Sequence, residues 1–471
     1  MLIPLLSIPY ISRVLDTDGI GHVGFIDSFS YYFVVIAEFG ITVYGIREVA
    51  KVRDNKEKLA ELVSELLLLH FITSIVTLLF YAISVYFLWD KIRDFRLLLF
   101  SLSFLLVSFF SCDWYFWGRE KFGYITIRSI IVRVFGLLSI FVLIKQSEDY
   151  YIYYGIIVAS SVITCTWNYY VLFRQVNFSF RNTKWKKHLR QVWIIYLINI
   201  FYSIPLMLDN VLLRMVSTAS AVGIYSFSIK IVRISTNLLA DSFLVFLPRI
   251  VSLAGNNDDV QLRQKLQMNM QLVILAAIPM GIGLFLIADE LAVVFFGQKF
   301  LMSANDLRVL SIFPFLKGMS LYYSNPVLIA HHKERFFLRN LIVSSCLFIP
   351  AALVLGSMYS DWGICIALIG AEFLLMASNY FTVKKRLPHL PIFDLATALQ
   401  ALTGALLFIP VVYATQYFIY SDQWRLIISI IACIVCYGFF LVIVARNKFA
   451  ITLMNICIKF FRNIFYSAKA I

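Results

Sequence analysis

The chain has 471 residues, of which 61% are hydrophobic and only 14% charged, with a mean hydropathy of +0.83. No water-soluble domain can bury apolar surface in that proportion, and about 20 apolar residues suffice for a helix to cross a bilayer; the composition excludes a soluble globule and describes a protein that crosses a membrane repeatedly. The formal net charge of +14 raises the question of a polyanionic partner, but no interleaved aromatic–basic module is present and no nucleic-acid role is expected.

Taken in chain order, the apolar stretches predict helical spans over 1–12, 22–45, 65–89, 95–117, 123–145, 151–173, 191–216, 221–247, 269–288, 307–330, 337–358, 362–383, 397–420 and 424–446. The fold class is therefore all-α integral membrane with about 14 spans. Leu2 to Ser12 is too short for a hydrocarbon core of about 30 Å, so the first span reads as truncated. In the second span Asp27, Tyr31 and Glu38 share a face, and in the fifth Thr126, Ser129 and Arg133 cluster on one side. The longest basic loop, Arg174 to Arg190, follows the sixth span. Asn199, Ser203, Asn210 and Arg214 align in the seventh, where Pro205 is expected to kink the helix.

The eighth span is the clearest. Ser226, Lys230, Arg233, Asn237 and Asp241 recur every three or four residues and form one polar stripe on a helix otherwise rich in Ile, Leu, Val and Phe. Arg308 and Ser311 open a similar face in the tenth span, whereas Lys317 points away from it and is expected to pair with an acid or to snorkel. A charge at the bilayer centre costs about 2.5–3.5 kcal/mol on the insertion scale, so such residues face a cavity or a partner. The stripe reads as a lining for water or a polar ligand, which makes Asn199, Asn210, Ser226, Asn237 and Arg308 cavity-lining candidates. A buried ion pair of Lys230 or Arg233 with a neighbouring acid is the alternative.

Within the spans Asp27, Glu38, Asp113, Asp209, Asp241 and Glu372 oppose Arg128, Arg133, Lys230, Arg233, Arg308 and Lys317, while Arg13, Arg47 and Arg214 at span ends tip the interior positive. A cavity of both signs suits an anionic cargo with a coupled cation: guanidinium groups grip phosphate in fork geometry, and acids hold a proton or sodium. If the first span leaves the cytoplasm, the basic clusters at 47–58, 174–190, 333–339, 384–386 and 446–469 all fall on the cytoplasmic side. That is the positive-inside pattern, and the basicity reports topology.

Catalytic signatures are absent: there is no Walker loop, GxSxG elbow or histidine-rich metal spacing. His331 and His332 fall in a predicted loop and read as solvated, while Cys433 and Cys436 lie in an apolar run and read as packing residues. A transporter is expected, not an enzyme, with no cofactor beyond a coupling ion, H+ or Na+.

Two passages suggest an internal duplication. Arg13-Val-Leu-Asp-Thr with Gly21-His-Val-Gly-Phe25 compares with Arg214-Met-Val-Ser-Thr and Gly223-Ile-Tyr-Ser-Phe227. Likewise Trp117-Gly-Arg-Glu-Lys121 with Ile127-Arg-Ser129 compares with Ile329-Ala-His-His-Lys333 and Leu338-Arg-Asn340. The expected organisation is a six-helix lobe over 1–174, a basic loop over 175–190, a second six-helix lobe over 191–384, two further helices over 385–446 and a basic tail over 447–471. Duplicated halves are the construction of secondary transporters.

Ile8-Pro-Tyr-Ile-Ser-Arg-Val-Leu15, Gly21, Phe25, Ala37-Glu-Phe-Gly40 and Tyr44-Gly-Ile-Arg-Glu48 resemble the polysaccharide flippases of the Wzx type. So do Asp113-Trp-Tyr-Phe-Trp-Gly118 and Tyr124-Ile-Thr-Ile-Arg-Ser129. That family belongs to a superfamily with multidrug and toxin extruders and lipid II flippases, and the resemblance covers most of the chain in helix order. It departs at the start, where members have about one helix more. The resemblance implies two lobes in a V around a central cavity and transfer of a lipid-linked sugar unit from the cytoplasmic to the outer leaflet. In lipid II flippases a cationic cavity takes the pyrophosphate head, and two added helices help form a groove for the polyprenyl tail. By analogy Arg13, Arg133, Arg214, Lys230 and Arg233 are head-group candidates, and 397–446 is the tail candidate.

The expected function is a flippase of the bacterial inner membrane for undecaprenyl-diphosphate-linked oligosaccharide repeat units, in O-antigen, capsule or related surface polysaccharide synthesis. It would work by alternating access, with Asp27, Glu38 or Asp241 as ion-coupling candidates. Its expected partners are membrane lipids, a polysaccharide polymerase and a chain-length regulator. The alternative is a cation-coupled efflux transporter of the multidrug extruder type, against which the Arg/Lys-biased interior argues. A membrane glycosyltransferase or polymerase is disfavoured by the short predicted extracytoplasmic loop 289–306.

Overall fold

The computed structural model describes residues 2–92, 94–178, 183–255, 259–452 and 454, with side-chain surroundings given for all of these except 2–5, 241–249, 251–255 and 259. Every described element is helical, as the apolar stretches require when backbone groups must be satisfied without water. The first half contains α1 (Leu2–Val14), α2 (Thr17–Glu38), α3 (Ile41–Val52), α4 (Lys56–Phe87), α5 (Trp89–Ile92), α6 (Phe95–Ser108), α7 (Asp113–Gly118), α8 (Phe122–Leu143), α9 (Tyr150–Phe173) and α10 (Lys186–Val216). The second contains α11 (Ala219–Gly255), α12 (Asp259–Leu286), α13 (Ala288–Leu291), α14 (Ser303–Leu310), α15 (Phe313–Tyr322), α16 (Glu334–Tyr359), α17 (Asp361–Arg386), α18 (Leu395–Leu406), α19 (Phe408–Phe418) and α20 (Asp422–Phe439).

Among the described residues 11 helical stretches are long and apolar enough to cross a membrane. The three remaining expected spans are α1, with 13 residues, α11, with 37 residues and the polar stripe along it, and the stretch 303–329. The last is broken into α14, α15 and a π-helical turn over Tyr323–Ile329 that contains Pro326. Proline removes a backbone donor and crowds the preceding turn, which is a physical cause for that irregularity. Pro205, expected to kink its helix, lies inside the uninterrupted α10.

Local chemistry sets the boundaries. Asn55 starts α4 by accepting from the Lys58 N–H, Asp94 starts α6 by accepting from Arg96 and Leu97, and Asp394 starts α18 by accepting from Thr397. Between α2 and α3 the chain turns through two left-handed residues, Phe39 (φ 49°) and Gly40 (φ 74°).

Packing divides the chain into two compact units, Met1–Ser226 with Ser345–Leu368, and Phe227–Ser344 with Ile369–Ile471. In the first, α2 packs against α4, α6, α9 and α10. Hydroxyl groups hold its interior: Ser30 and Ser101 lie 2.5 Å apart, Tyr81 reaches Ser101 at 2.6 Å and Tyr154 donates to Ser30 at 3.2 Å. In the second unit α12 packs against α15 and α18, and Lys317 donates to buried Glu372 at 2.6 Å. That is the acid-pairing outcome expected for Lys317. These units follow contacts, whereas the expected lobes 1–174 and 191–384 follow internal repetition; α10, placed in the second lobe by repetition, packs on α2 within the first unit.

Candidate functional site

The first unit contains an open polar cavity of about 400 Å³. Its construction starts with the segments that carry the sequence resemblance. Gly45 on α3 lets the Trp114 ring of α7 approach until a Cβ there would meet it at 2.8 Å, and Gly118 on α7 leaves a Cβ position 2.7 Å from Val49 of α3. Side chains of any size at either glycine would push the two helices apart. With Trp114, Tyr115 and Phe116 buried on this contact, Asp113 at the start of α7 is free to line the cavity.

Arg128 of α8 is 3% exposed and meets Asp113 there. Its Nη1 donates to Asp113 Oδ1 at 2.7 Å and also to Asn168 Oδ1 of α9. Asn168 Nδ2 donates to the same Asp113 oxygen at 2.6 Å, and the Tyr124 hydroxyl donates to Asn168 Oδ1 at 3.1 Å. A buried charge is tolerated only when paired and hydrogen-bonded, and this wall of the cavity satisfies that condition. Opposite chemistry comes from α2, whose Tyr31 and Glu38 also line the space, while Ser129 and Arg133 of α8 and Ser160, Ser161 and Thr164 of α9 complete it. Arg133 is exposed, whereas Glu38 is half-buried at the last position of α2, where the left-handed turn ends the helix. The cavity thus combines a carboxylate, a second carboxylate already paired, two guanidinium groups and hydroxyls: a surface able to hold an anionic or polyhydroxylated group.

The structure therefore brings together Glu38 and Arg133 from the sequence candidates, with Tyr31 and Ser129 beside them. Asp27 lies three turns earlier on α2, half-buried. Arg13 is exposed and its Nη1 donates to Pro9 O of its own helix at 2.8 Å. Asn210 and Ser226 are buried and bonded to one another at 3.1 Å, and Asn210 also donates to Ser28 Oγ at 2.9 Å, so both tie helices together. Asn199 is half-buried, as is Arg214, whose Nη1 donates to Ser217 O at 3.3 Å. In the second unit Lys230 and Asn237 are exposed and Arg233 half-buried along α11; the side chain of Asp241 lies outside the described residues. Arg308 is half-buried and paired with Asp289 and Asn305.

The sequence reading places Asp113 and Arg128 among the charges within spans without joining them as one group, and it does not single out Asn168. The available signal was the coincidence of Asp113 and Arg128 inside two resemblance motifs. A second missed group joins Glu65, which is buried, to His188 Nε2 at 2.9 Å and to Lys187 at 2.7 Å, with the Tyr44 hydroxyl 2.8 Å from His188 Nδ1. The second unit holds an apolar groove of about 590 Å³, lined by Ile278, Ile282 and Phe285 of α12, Phe315 of α15, and Leu399 and Leu402 of α18.

Comparison with known proteins agrees with this architecture. Solved structures that share the fold include a lipid II flippase, MurJ, in an inward closed conformation, with TM-score 0.74 and 15% identity over 95% of this chain and 97% of that one, and an inward-facing multidrug resistance MATE family transporter of the MOP superfamily, with TM-score 0.65 and 12% identity over 82% and 94%. Among curated proteins, one named for O-antigen transport in Escherichia coli (strain K12) is 23% identical over 396 residues, 81% of this chain and 93% of the relative. Another of the same name from Shigella dysenteriae is 20% identical over 394 residues, 81% and 96%. These relatives are transporters and flippases, not enzymes. The family described as polysaccharide biosynthesis protein matches residues 1–254, which include the α3–α7 contact, the Asp113–Arg128–Asn168 wall and the whole polar cavity, and the chain belongs to that family.

Proposed function

We propose that this multi-pass membrane protein is a flippase of the bacterial inner membrane that moves undecaprenyl-diphosphate-linked oligosaccharide units to the outer leaflet by alternating access. The observation that carries the reading is the polar cavity bearing Arg133, Arg128, Glu38 and Asp113 inside a family member otherwise built for lipid. Guanidinium groups suit a diphosphate, and hydroxyl and carboxylate groups suit a sugar. Arg13, Arg133, Arg214, Lys230 and Arg233 are the proposed head-group residues, and Asp27, Glu38 or Asp241 the proposed carriers of a coupled proton or sodium. The apolar groove against α18 supports a role in holding the polyprenyl tail for the first of the two added helices. A polysaccharide polymerase and a chain-length regulator are the proposed downstream partners.

The test is deletion in the native host, followed by fractionation of its lipid-linked oligosaccharides. The expected result is complete units accumulating on the cytoplasmic face and loss of surface polymer, restored by wild type but not by Arg133→Ala or by Lys230→Ala with Arg233→Ala. Unchanged lipid intermediates and normal surface polymer, in a strain without a second flippase, would exclude the reading in favour of efflux of small molecules.

A further inference from the structure

In the second unit the start of α16 and the end of α17 form a basic recess. Its volume is about 340 Å³, and it is lined by Phe336, Arg339, Asn340, Ser378, Phe381, Thr382, Lys385 and Arg386. The floor is rigid: buried Asn340 donates to Asn379 Oδ1 and to Thr382 Oγ1, each at 3.0 Å, which locks the start of α16 to the end of α17. Two guanidinium groups are drawn to one ring, Arg386 at 4.8 Å and Arg339 at 5.7 Å from the Phe336 centroid. Among the described residues no carboxylate is ion-paired with Arg339, Lys385 or Arg386. Like charges gathered on one ring repel, and an anion held between them offsets that repulsion.

The rim identifies the source of the anion. Phe381 is 64% exposed beside the recess, and Phe373, two helical turns earlier on the same winding face of α17, is 56% exposed. Val343, one turn beyond Arg339 on α16, is also exposed. Both helices therefore carry cations at one end and bare apolar side chains running away from them, the arrangement of a headgroup pocket with an acyl path below it. The recess sits at helix ends flanked by the basic clusters that the charge pattern places on the cytoplasmic side, where anionic lipids attract basic pockets between helices.

We infer that this recess binds the phosphate of an anionic phospholipid, with Arg339, Lys385 and Arg386 as its ligands and Phe381 beside the acyl chain. The inference stands apart from the transport reading and uses none of its residues. Native mass spectrometry of the purified full-length protein, titrated with dioleoyl-phosphatidylglycerol, tests it. Phosphatidylcholine with the same chains and inorganic phosphate serve as the other two probes. Wild type is expected to keep one more tightly bound phosphatidylglycerol than Arg339→Gln/Lys385→Gln/Arg386→Gln, whose affinity at this site falls about a hundredfold; exposed Lys385→Gln alone, which leaves the floor intact, loses about fivefold. Equal phosphatidylglycerol occupancy in wild type and both variants overturns the inference. So does phosphatidylcholine held as tightly by wild type, or displacement of the lipid by an equal concentration of inorganic phosphate, which would make this a site for the free anion.

Discussion

Lys317 and Glu372 meet at 2.6 Å with side chains only 6% and 1% exposed, and Glu372 Oε2 finds no hydrogen-bond donor among the described residues. Removing one member of such a pair leaves the other charge buried, at a cost of about 3–5 kcal/mol, whereas replacing both by apolar groups is often neutral or stabilising. Glu372→Ala is therefore expected to lower the thermal unfolding midpoint in detergent sharply, and Lys317→Met/Glu372→Leu to recover most of it. A double variant as unstable as Glu372→Ala would show that the pair contributes more than mutual neutralisation. Sequence context leaves Lys317 two outcomes, an acid partner or a snorkelling path to the interface, because a lone ammonium among apolar residues is costly. Which acid answers is not readable: Glu372 is 55 positions away, and only folding brings it near. Arg128 and Asp113, 15 positions apart, have the same history.

Between elements, the sequence comparison aligned Gly21 of α2 with Gly223 of α11 as equivalent positions of two repeats, and the structure packs these two glycines against each other. A Cβ on Gly21 would fall 1.7 Å from Ala219 O and 3.1 Å from Gly223 N; one on Gly223 would fall 2.1 Å from Thr17 O and 3.2 Å from Gly21 N. The reciprocity is that of a two-fold contact, where residue i meets j and j meets i. Ser220 donates to Thr17 Oγ1 at 2.7 Å across the same crossing, which makes it a small-residue contact of the kind that joins helices in lipid. Backbone carbonyls cannot rotate out of the way, so Gly21→Ala or Gly223→Ala is expected to destabilise by about 1–3 kcal/mol, the range of overpacked contacts. Gly370→Ala, whose Cβ position meets nothing within 4 Å, is the control and should be neutral or slightly stabilising, since helix-interior glycine costs about 0.5–1 kcal/mol. Differential scanning fluorimetry of the three variants separates these outcomes; equal melting shifts would rule out the close crossing.

For the molecule as a whole, acid sensitivity should reside in part outside the bilayer. Burial works to raise the carboxyl pKa of both Asp94 and Asp394, but hydrogen bonds outweigh it and hold each below its ordinary value. Asp94 accepts from the Tyr150 hydroxyl at 2.7 Å as well as from the α6 backbone; Asp394 accepts from Gln271 at 2.9 Å and the Thr397 hydroxyl at 2.8 Å. A carboxylate whose folded pKa is depressed adds stability above its unfolded value, about 3.9, and loses it as pH falls through the folded value. The melting temperature should hold to about pH 4 and decline below it. Asp94→Asn and Asp394→Asn should each lower it at neutral pH and flatten the acid limb, as melting curves from pH 7 to 3 would reveal.

Composition and periodicity alone determined that the chain is helical, that it crosses a membrane many times and where most spans begin and end, because a bilayer dictates helix length and apolar content residue by residue. They also marked Glu38, Arg133 and the α11 stripe as out of place in lipid, since the cost of a buried charge is local. Tertiary structure decided the rest: that Glu38 and Arg133 share one cavity, that Asn210 and Ser226 tie helices, and that Arg339, Lys385 and Arg386 converge on one recess. Helix periodicity sets the face on which a side chain lies, but the partner of that face is chosen by packing between helices distant in the chain.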